Sequence, residues 1–213
     1  MGHVNDTHCL LKRPGGYDIT SKAVSLCGFR KDETILDLGC GSGATVEFLI
    51  SHYGFNALGL EISPGINAIS DRILQGNAAI LPFPDHMWHG IMMECSFSLM
   101  ESPEAVLQEC HRVLKPEGRL IISDMYAKGK PARLPGYLGF MNTKEQLCSI
   151  LEANGFTPWY FEDFTREFQD YWGQMIFDMG KEAFYSGLCV DPELLRKVKC
   201  GYCLILAEKE SVS

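Results

Sequence analysis

The sequence predicts an α/β fold: a doubly wound sheet of seven strands, mostly parallel, with an antiparallel last strand. Three observations carry this. Short apolar runs alternate with segments whose apolar residues recur at helical spacing, the pattern of parallel strands joined by helices. The first two strong runs, Thr34–Asp37 and Asn56–Glu61, each end in an acid, and in such sheets ligands gather outside the carboxyl ends of strands. Between those runs stand Gly39, Gly41 and Gly43 at alternate positions, just ahead of a helical pattern. A strand, a tight turn and a helix start in that order let a ligand lie against bare backbone.

The elements follow in order. Residues 1–30 form a leader, with Arg13-Pro14-Gly15-Gly16-Tyr17, and a short helix that Thr20 caps and Gly28 ends. Thr45–Tyr53 is a helix with Val46, Leu49, Ile50 and Tyr53 on one side. Ser63-Pro64 starts a short helix, serine as cap and proline in the first turn. Leu74–Ala79 holds a short strand and a turn, and His89–Glu94 is a strongly apolar strand. Ser102-Pro103 opens a helix whose face is Val106, Leu107, Cys110, Val113 and Leu114. A turn at Pro116-Glu117-Gly118 leads into the strand Arg119–Met125. Residues 127–142, rich in Gly, Pro and Lys, read as a loop. Thr143 with Gln146 makes a capping box for a helix ending before Gly155. Thr157–Phe161 and Gly201–Glu208 are the last strands, with the aromatic, helical stretch 164–198 between them in place of a short crossover.

The 213 residues suit a single domain, 1–213. A net charge of −8 with no basic run argues against binding nucleic acid through phosphates and against a polybasic membrane patch. No stretch approaches the roughly 18 uninterrupted apolar residues of a membrane span, and the first twenty residues lack a signal-peptide core. Nine cysteines, an odd count spread through strands and helices, do not read as a disulfide framework; they suit buried thiols in a reducing, cytoplasmic setting. Cys200 and Cys203 have CxxC spacing, but they lie in an apolar strand with no second pair, so no metal site is expected.

The glycine turn admits several ligands. A P-loop needs Gly-Lys-Ser/Thr, which is absent. Gly39, Gly41 and Ala44 satisfy the dinucleotide form, with Glu61 placed for a ribose. Asp37 separates the readings. A carboxylate at the strand tip repels a pyrophosphate and attracts a ligand carrying an ammonium and a sulfonium. S-adenosyl-L-methionine carries both charges, and a ribose for Glu61.

Asp37-Leu38-Gly39-Cys40-Gly41-Ser42-Gly43 resembles the D-x-G-x-G-x-G signature of class I S-adenosylmethionine-dependent methyltransferases, whose sheet is Rossmann-like. Gly76-Asn77-Ala78 with Leu81-Pro82-Phe83-Pro84-Asp85 is similar to the G-D-A…L-P-F-x-D stretch of the ubiquinone/menaquinone-biosynthesis (type 11) branch. Arg112-Val113-Leu114-Lys115-Pro116-Glu117-Gly118-Arg119-Leu120 is similar to its R-V-L-K-P-G-G-x-L turn. The resemblance implies that Asp37 and the backbone of Gly39, Cys40, Gly41 and Gly43 hold the methionine moiety. Glu61 would take the ribose, Ile62 would lie beside adenine, and Asn77 with the Ala78 backbone would read adenine. Glu94 would sit near the methionine amino group or the acceptor, while Arg13 or Tyr17 would meet the methionine carboxylate. Three departures stand out: Asn77 replaces the usual Asp, His89 stands where Asp is common, and the interval from Glu61 to Asn77 is short.

The resemblance also implies a small-molecule methyl acceptor and a monomer or homodimer, without naming the acceptor. Methyl transfer from a sulfonium needs an in-line approach and a dry pocket. Where a base is needed, Glu94 and Tyr17 are the catalytic candidates, ahead of Tyr126 and His111. Residues 127–142 and the aromatic-rich 164–198 are the expected cover. Cys95, with Cys9 and Cys189 in flanking segments, would suit a soft acceptor, against the plainer reading of buried structural thiols. A non-catalytic nucleotide-binding module or an NAD-dependent oxidoreductase stays open as the alternative.

Overall fold

The computed structural model describes residues 13–63 and 70–210. Seven strands form one sheet in the order β3-β2-β1-β4-β5-β9-β8. They are β1 (Thr34–Leu38), β2 (Asn56–Glu61), β3 (Ile73–Gln75), β4 (Trp88–Glu94), β5 (Leu114–Ala127), β8 (Phe156–Asp163) and β9 (Cys200–Lys209). β3, β2, β1, β4 and β5 pair in parallel, and β9 runs antiparallel to both β5 and β8. The last strand is therefore antiparallel, as expected. Strand order reverses between β1 and β4, so the switch point falls beside the glycine turn.

Alternation along the strands divides the core in two. Leu36, Leu38, Ile91, Met93, Leu120 and Ile122 face one side with Ile205 and Phe156. Ile35, Met92, Ile121, Tyr202, Leu204 and Leu206 face the other, under α1 (Gly16–Cys27) and α2 (Ala44–Tyr53). Asp37 shares the parity of Ile35, and Glu94 that of Met92. Both carboxylates therefore rise from strand ends on the α1/α2 side, which decides what they meet.

Several elements differ from the sequence reading. α1 begins at Gly16, so Thr20 lies inside the helix, fully buried, and does not cap it. Gly15 turns the chain into α1 at φ 66°, and a Cβ there would stand 2.4 Å from Ile19 Cδ1. The turn at 116–118 is a bulge within β5: Trp88 pairs with Leu114 but Gly90 with Arg119, and Glu117 takes φ 60°. Residues 127–142 are not a plain loop; β6 (Ala132–Leu134) and β7 (Gly139–Met141) form a hairpin there. The stretch 164–198 resolves into α5 (Thr165–Met179), α6 (Lys181–Leu188) and α7 (Pro192–Val198). Leu134, Leu138, Met141 and Val198 make a third, smaller core where the hairpin meets these helices. The capping box forms at the start of α4 (Lys144–Ala153), with Thr143 and Gln146 bonding each other's backbone. α3 (Pro103–Val113) starts on the proline. The helix expected at Ser63-Pro64 lies largely outside the described residues, as do Cys9 and the start of the leader.

Candidate active site

The turn after β1 is tightly wired. Leu60 O accepts from Gly39 N (2.8 Å) and Cys40 N (3.3 Å). Gly41 N donates to Glu61 Oε2 at 2.9 Å, while Glu61 Oε1 accepts from Ile62 N and Ser63 N. Glu61 thus ties the ends of β1 and β2 together. Gly39 has φ 73°, and a Cβ there would fall 2.5 Å from Ser96 Cβ. Gly39→Ala is expected to cost at least about 1–3 kcal/mol, from left-handed strain alone, read as a lower urea midpoint. A midpoint equal to that of the parent would remove Gly39 from this tight approach. Cys40 turns its sulfur toward Gly59, within 3.9 Å of Gly41 O. Burial pushes its thiol up to about 12.

Beyond the turn a cavity of about 340 Å³ is lined by Gly39, Glu61, Ile62, Asn77 and Ala78, together with Leu99 and Met100. Six of the sequence-predicted residues or their backbones therefore meet at one wall system: Gly39, Gly41 through its bond to Glu61, Glu61, Ile62, Asn77 and Ala78. Ile62 is 61% exposed at the mouth. Asn77 Oδ1 accepts from Ala79 N at 2.9 Å, leaving its amide N–H groups outward. The Leu81–Asp85 loop behind this wall is held by Arg112, which donates to Leu81 O, Phe83 O and Asp85. The arginine and the loop thus form one hydrogen-bonded unit.

On the α1/α2 face lies a charge cluster. Asp37 is buried, and its carboxylate accepts no hydrogen bond among the described residues. Burial, and then the negative charge of Glu94, pushes its pKa far above the carboxylate range; Arg13 works in the opposite direction. Glu94 forms a buried ion pair with Arg13. Its Oε1 accepts from Thr20 Oγ1 (2.8 Å) and its Oε2 from Thr45 Oγ1 (3.0 Å). Arg13 also donates to Thr45 Oγ1 (3.1 Å), Thr20 Oγ1 and Gly16 O. Burial alone would lower the Arg13 pKa, but Glu94 chiefly holds it above its ordinary value. Tyr17 donates to Ala44 O at 3.1 Å and stacks on Phe48; burial raises its pKa. Residues 13–17 are thus packed over the strand tips.

Thr20 and Thr45 escaped the sequence reading. Thr20 sits with Ile19, Ala23 and Val24 on the buried side of α1. A threonine on an apolar stripe is the signal that was available, since a buried hydroxyl needs a partner.

The other candidates scatter. Cys95 lines the cavity in a left-handed conformation, and its sulfur lies 3.2 Å from the Tyr202 hydroxyl. Burial pushes it up to about 12, so it stays a thiol. Cys189 is exposed at the end of α6 and is not part of the cavity wall. Cys200 and Cys203 lie three apart on β9 and face opposite sides, so they do not converge. Tyr126 donates to Asp163 on β8, and His111 packs edge-on against Phe156; neither lines the cavity. Among the described residues no group of three or more His, Cys, Asp or Glu is placed to hold a metal ion. No helix among them is long and apolar enough to cross a membrane.

A Rossmann-like sheet with acids at the ends of β1 and β2 and a glycine turn between them defines a nucleotide-binding class of α/β protein. Residues 36–122 match the family described as "Methyltransferase domain". The matched stretch runs from β1 into β5 and takes in the glycine turn. The chain is 26% identical over 180 residues to phosphoethanolamine N-methyltransferase of Plasmodium falciparum, covering 76% of this chain and 66% of that protein. It is 31% identical over 130 residues to the ubiquinone/menaquinone biosynthesis C-methyltransferase UbiE of Legionella pneumophila, covering 54% of this chain and 51% of that one. The chain thus spans about half to two thirds of the length of these relatives. In fold it resembles phosphoethanolamine N-methyltransferase 2 of Haemonchus contortus, solved with S-adenosyl-L-methionine: TM-score 0.75, 16% identity, 93% of this chain and 54% of that chain. It also resembles the geranyl diphosphate C-methyltransferase of Streptomyces coelicolor, with TM-score 0.74, 17% identity, 91% of this chain and 76% of that chain.

Proposed function

We propose that this chain transfers a methyl group from S-adenosyl-L-methionine to a small-molecule acceptor. The observation that carries the reading is the pair of unlike compartments at the tips of β1, β2 and β4: a wall with Glu61, Ile62 and Asn77, and beside it the Asp37/Glu94/Arg13 cluster. The residues fit the donor. Asp37 is a buried carboxylate still open to a cationic partner. Arg13 and Glu94 offer one charge of each sign to a zwitterionic amino-acid end.

In this proposal the donor's ammonium lies against Asp37 and Glu94, and its carboxylate against Arg13, with Tyr17 fixing the start of α1 on α2. Backbone from Gly39 to Gly43 lies along the methionine chain. Glu61 accepts from the ribose hydroxyls while still holding Gly41 N. Ile62 packs on the adenine ring, and Asn77 and the Ala78 backbone meet its edge. When bound, the donor supplies a methyl on a sulfonium, which leaves as a neutral thioether. The chain's task is alignment and exclusion of water. Glu94 and Tyr17, the catalytic candidates, act here by positioning: both oxygens of Glu94 already accept bonds, and the raised Tyr17 pKa disfavours proton removal by its phenolate. The hairpin at 132–141 and α5–α7 cover the acceptor side within one domain. An odd number of cysteines spread through strands and helices supports reading a reducing, cytoplasmic setting, and we take the chain as a monomer or homodimer.

Thermal shifts with S-adenosylmethionine and with NAD test the donor. Stabilisation by the former is expected, and stabilisation by NAD alone would overturn the assignment. A labelled-methyl screen over thiols, quinol precursors, amines and metalloid oxyanions then finds the acceptor.

A further inference from the structure

β8 and β9 are antiparallel neighbours, which a loop of about 2–5 residues can join. Here residues 164–199 intervene, and they build α5–α7, which share a small core with the β6–β7 hairpin. These helices line an open groove of about 710 Å³. Trp172, Tyr185, Pro192 and Leu195 supply apolar surface, and Lys181 and Arg196 stand at the rim, with Glu182 beside them. Neither Lys181 nor Arg196 forms a salt bridge among the described residues.

The positive charge continues past the groove. Lys128, Gly129 and Lys130 donate backbone hydrogen bonds to Lys199, Val198 and Lys197. This ladder brings the segments Lys128–Arg133 and Arg196–Lys199 side by side. Together they hold Lys128, Lys130, Arg133, Arg196, Lys197 and Lys199 and no acid, in a chain of net charge −8. Among the described residues, only Lys128 and Lys197 of these six are ion-paired, to Asp163 and Glu193. Glu182 is thus outweighed locally.

We propose that the α5–α7 groove is a second ligand site, separate from the strand-tip cavity, for a small organic anion: an aromatic or aliphatic body bearing a sulfonate, carboxylate or phosphate. The body packs on Trp172 and Tyr185, whose rings suit flat apolar surface. The anion lies between Lys181 and Arg196, where charge attracts it from solution.

Anilinonaphthalene sulfonate is the probe. Added to the full chain, it is expected to bind with sensitised emission on tryptophan excitation, since Trp172 touches it. Trp172→Phe is expected to remove most of that sensitised emission while directly excited emission persists. Lys181→Glu/Arg196→Glu is expected to weaken binding about tenfold, the sum of two exposed charge contacts reversed, with far-ultraviolet circular dichroism unchanged. The milder Lys181→Gln/Arg196→Gln pair should fall between. Uncharged phenylnaphthylamine is expected to bind more weakly than the sulfonate. Sensitised emission that survives Trp172→Phe, or equal affinity in the charge-reversed protein, would overturn the site. Co-sedimentation with phosphatidylglycerol vesicles, lost in Phe177→Asp, would reassign this face to a lipid surface and overturn it as well; Phe177 is 84% exposed on α5.

Discussion

Replacing Arg13 with methionine is expected to lower the melting temperature of the unliganded protein by roughly 6–20 °C. The guanidinium and the Glu94 carboxylate have only 9% and 3% of their side-chain surface exposed. Removing one member of a buried pair leaves an uncompensated charge, which costs about 3–5 kcal/mol. For a domain of this size each kcal/mol moves the midpoint by about 2–4 °C. Thr20 and Thr45 still donate to Glu94 in the variant, which places the loss toward the lower end. Arg13→Met/Glu94→Gln removes both charges and is expected to recover much of the loss. The double-mutant cycle then reports a coupling energy, because the groups touch. Strictly additive losses in urea titrations would show that the two charges do not act as a pair. Lysine at position 13 keeps the charge but reaches the two threonines with one ammonium in place of a fork, so only partial rescue is expected.

Asp37→Asn separates binding from stability. Loss of a charged contact to the donor's ammonium is worth about 1.5–3 kcal/mol, so S-adenosylmethionine affinity is expected to fall about 10–150-fold by calorimetry. The unliganded protein should move in the other direction. Asp37 has its folded pKa raised by burial and by Glu94, so the folded state binds this proton more tightly than the unfolded chain does. Stability from this group is therefore greatest at low pH. It declines as pH rises from the ordinary aspartate value toward the raised folded one. Asparagine cannot ionise, so Asp37→Asn should flatten that decline and raise the midpoint at alkaline pH, with little change near pH 4. The same linkage makes donor binding by the parent release a proton and strengthen as pH rises. A variant whose pH–stability curve overlays that of the parent would mean that Asp37 is not held protonated by its surroundings.

The strands and the glycine turn were legible because their signals are local. Apolar runs of strand length, glycines at alternate positions and the Thr143/Gln146 box each act within a few residues. They reappear as β1, β2, β4, β5 and the α4 cap. The hairpin at 132–141 was not legible. Its strands are three residues each and are held by contacts with α6 and α7 rather than by their own alternation. The start of α1 was misread for a related reason. Thr20 carries the character of a cap, but burial beside Glu94 decides its position.

Local chemistry thus determined the order of strands and helices, the turn at Gly39–Gly43 and the acids that end β1, β2 and β4. Register and packing decided the rest. A period of two along β1 and β4 puts Asp37 and Glu94 on the same face, and the turn at Gly15 aims Arg13 at both. No local pattern encodes a buried ion pair between residues 13 and 94. It exists because desolvation makes each of these charges costly alone, and the tertiary fold is what brings the opposite charge within reach.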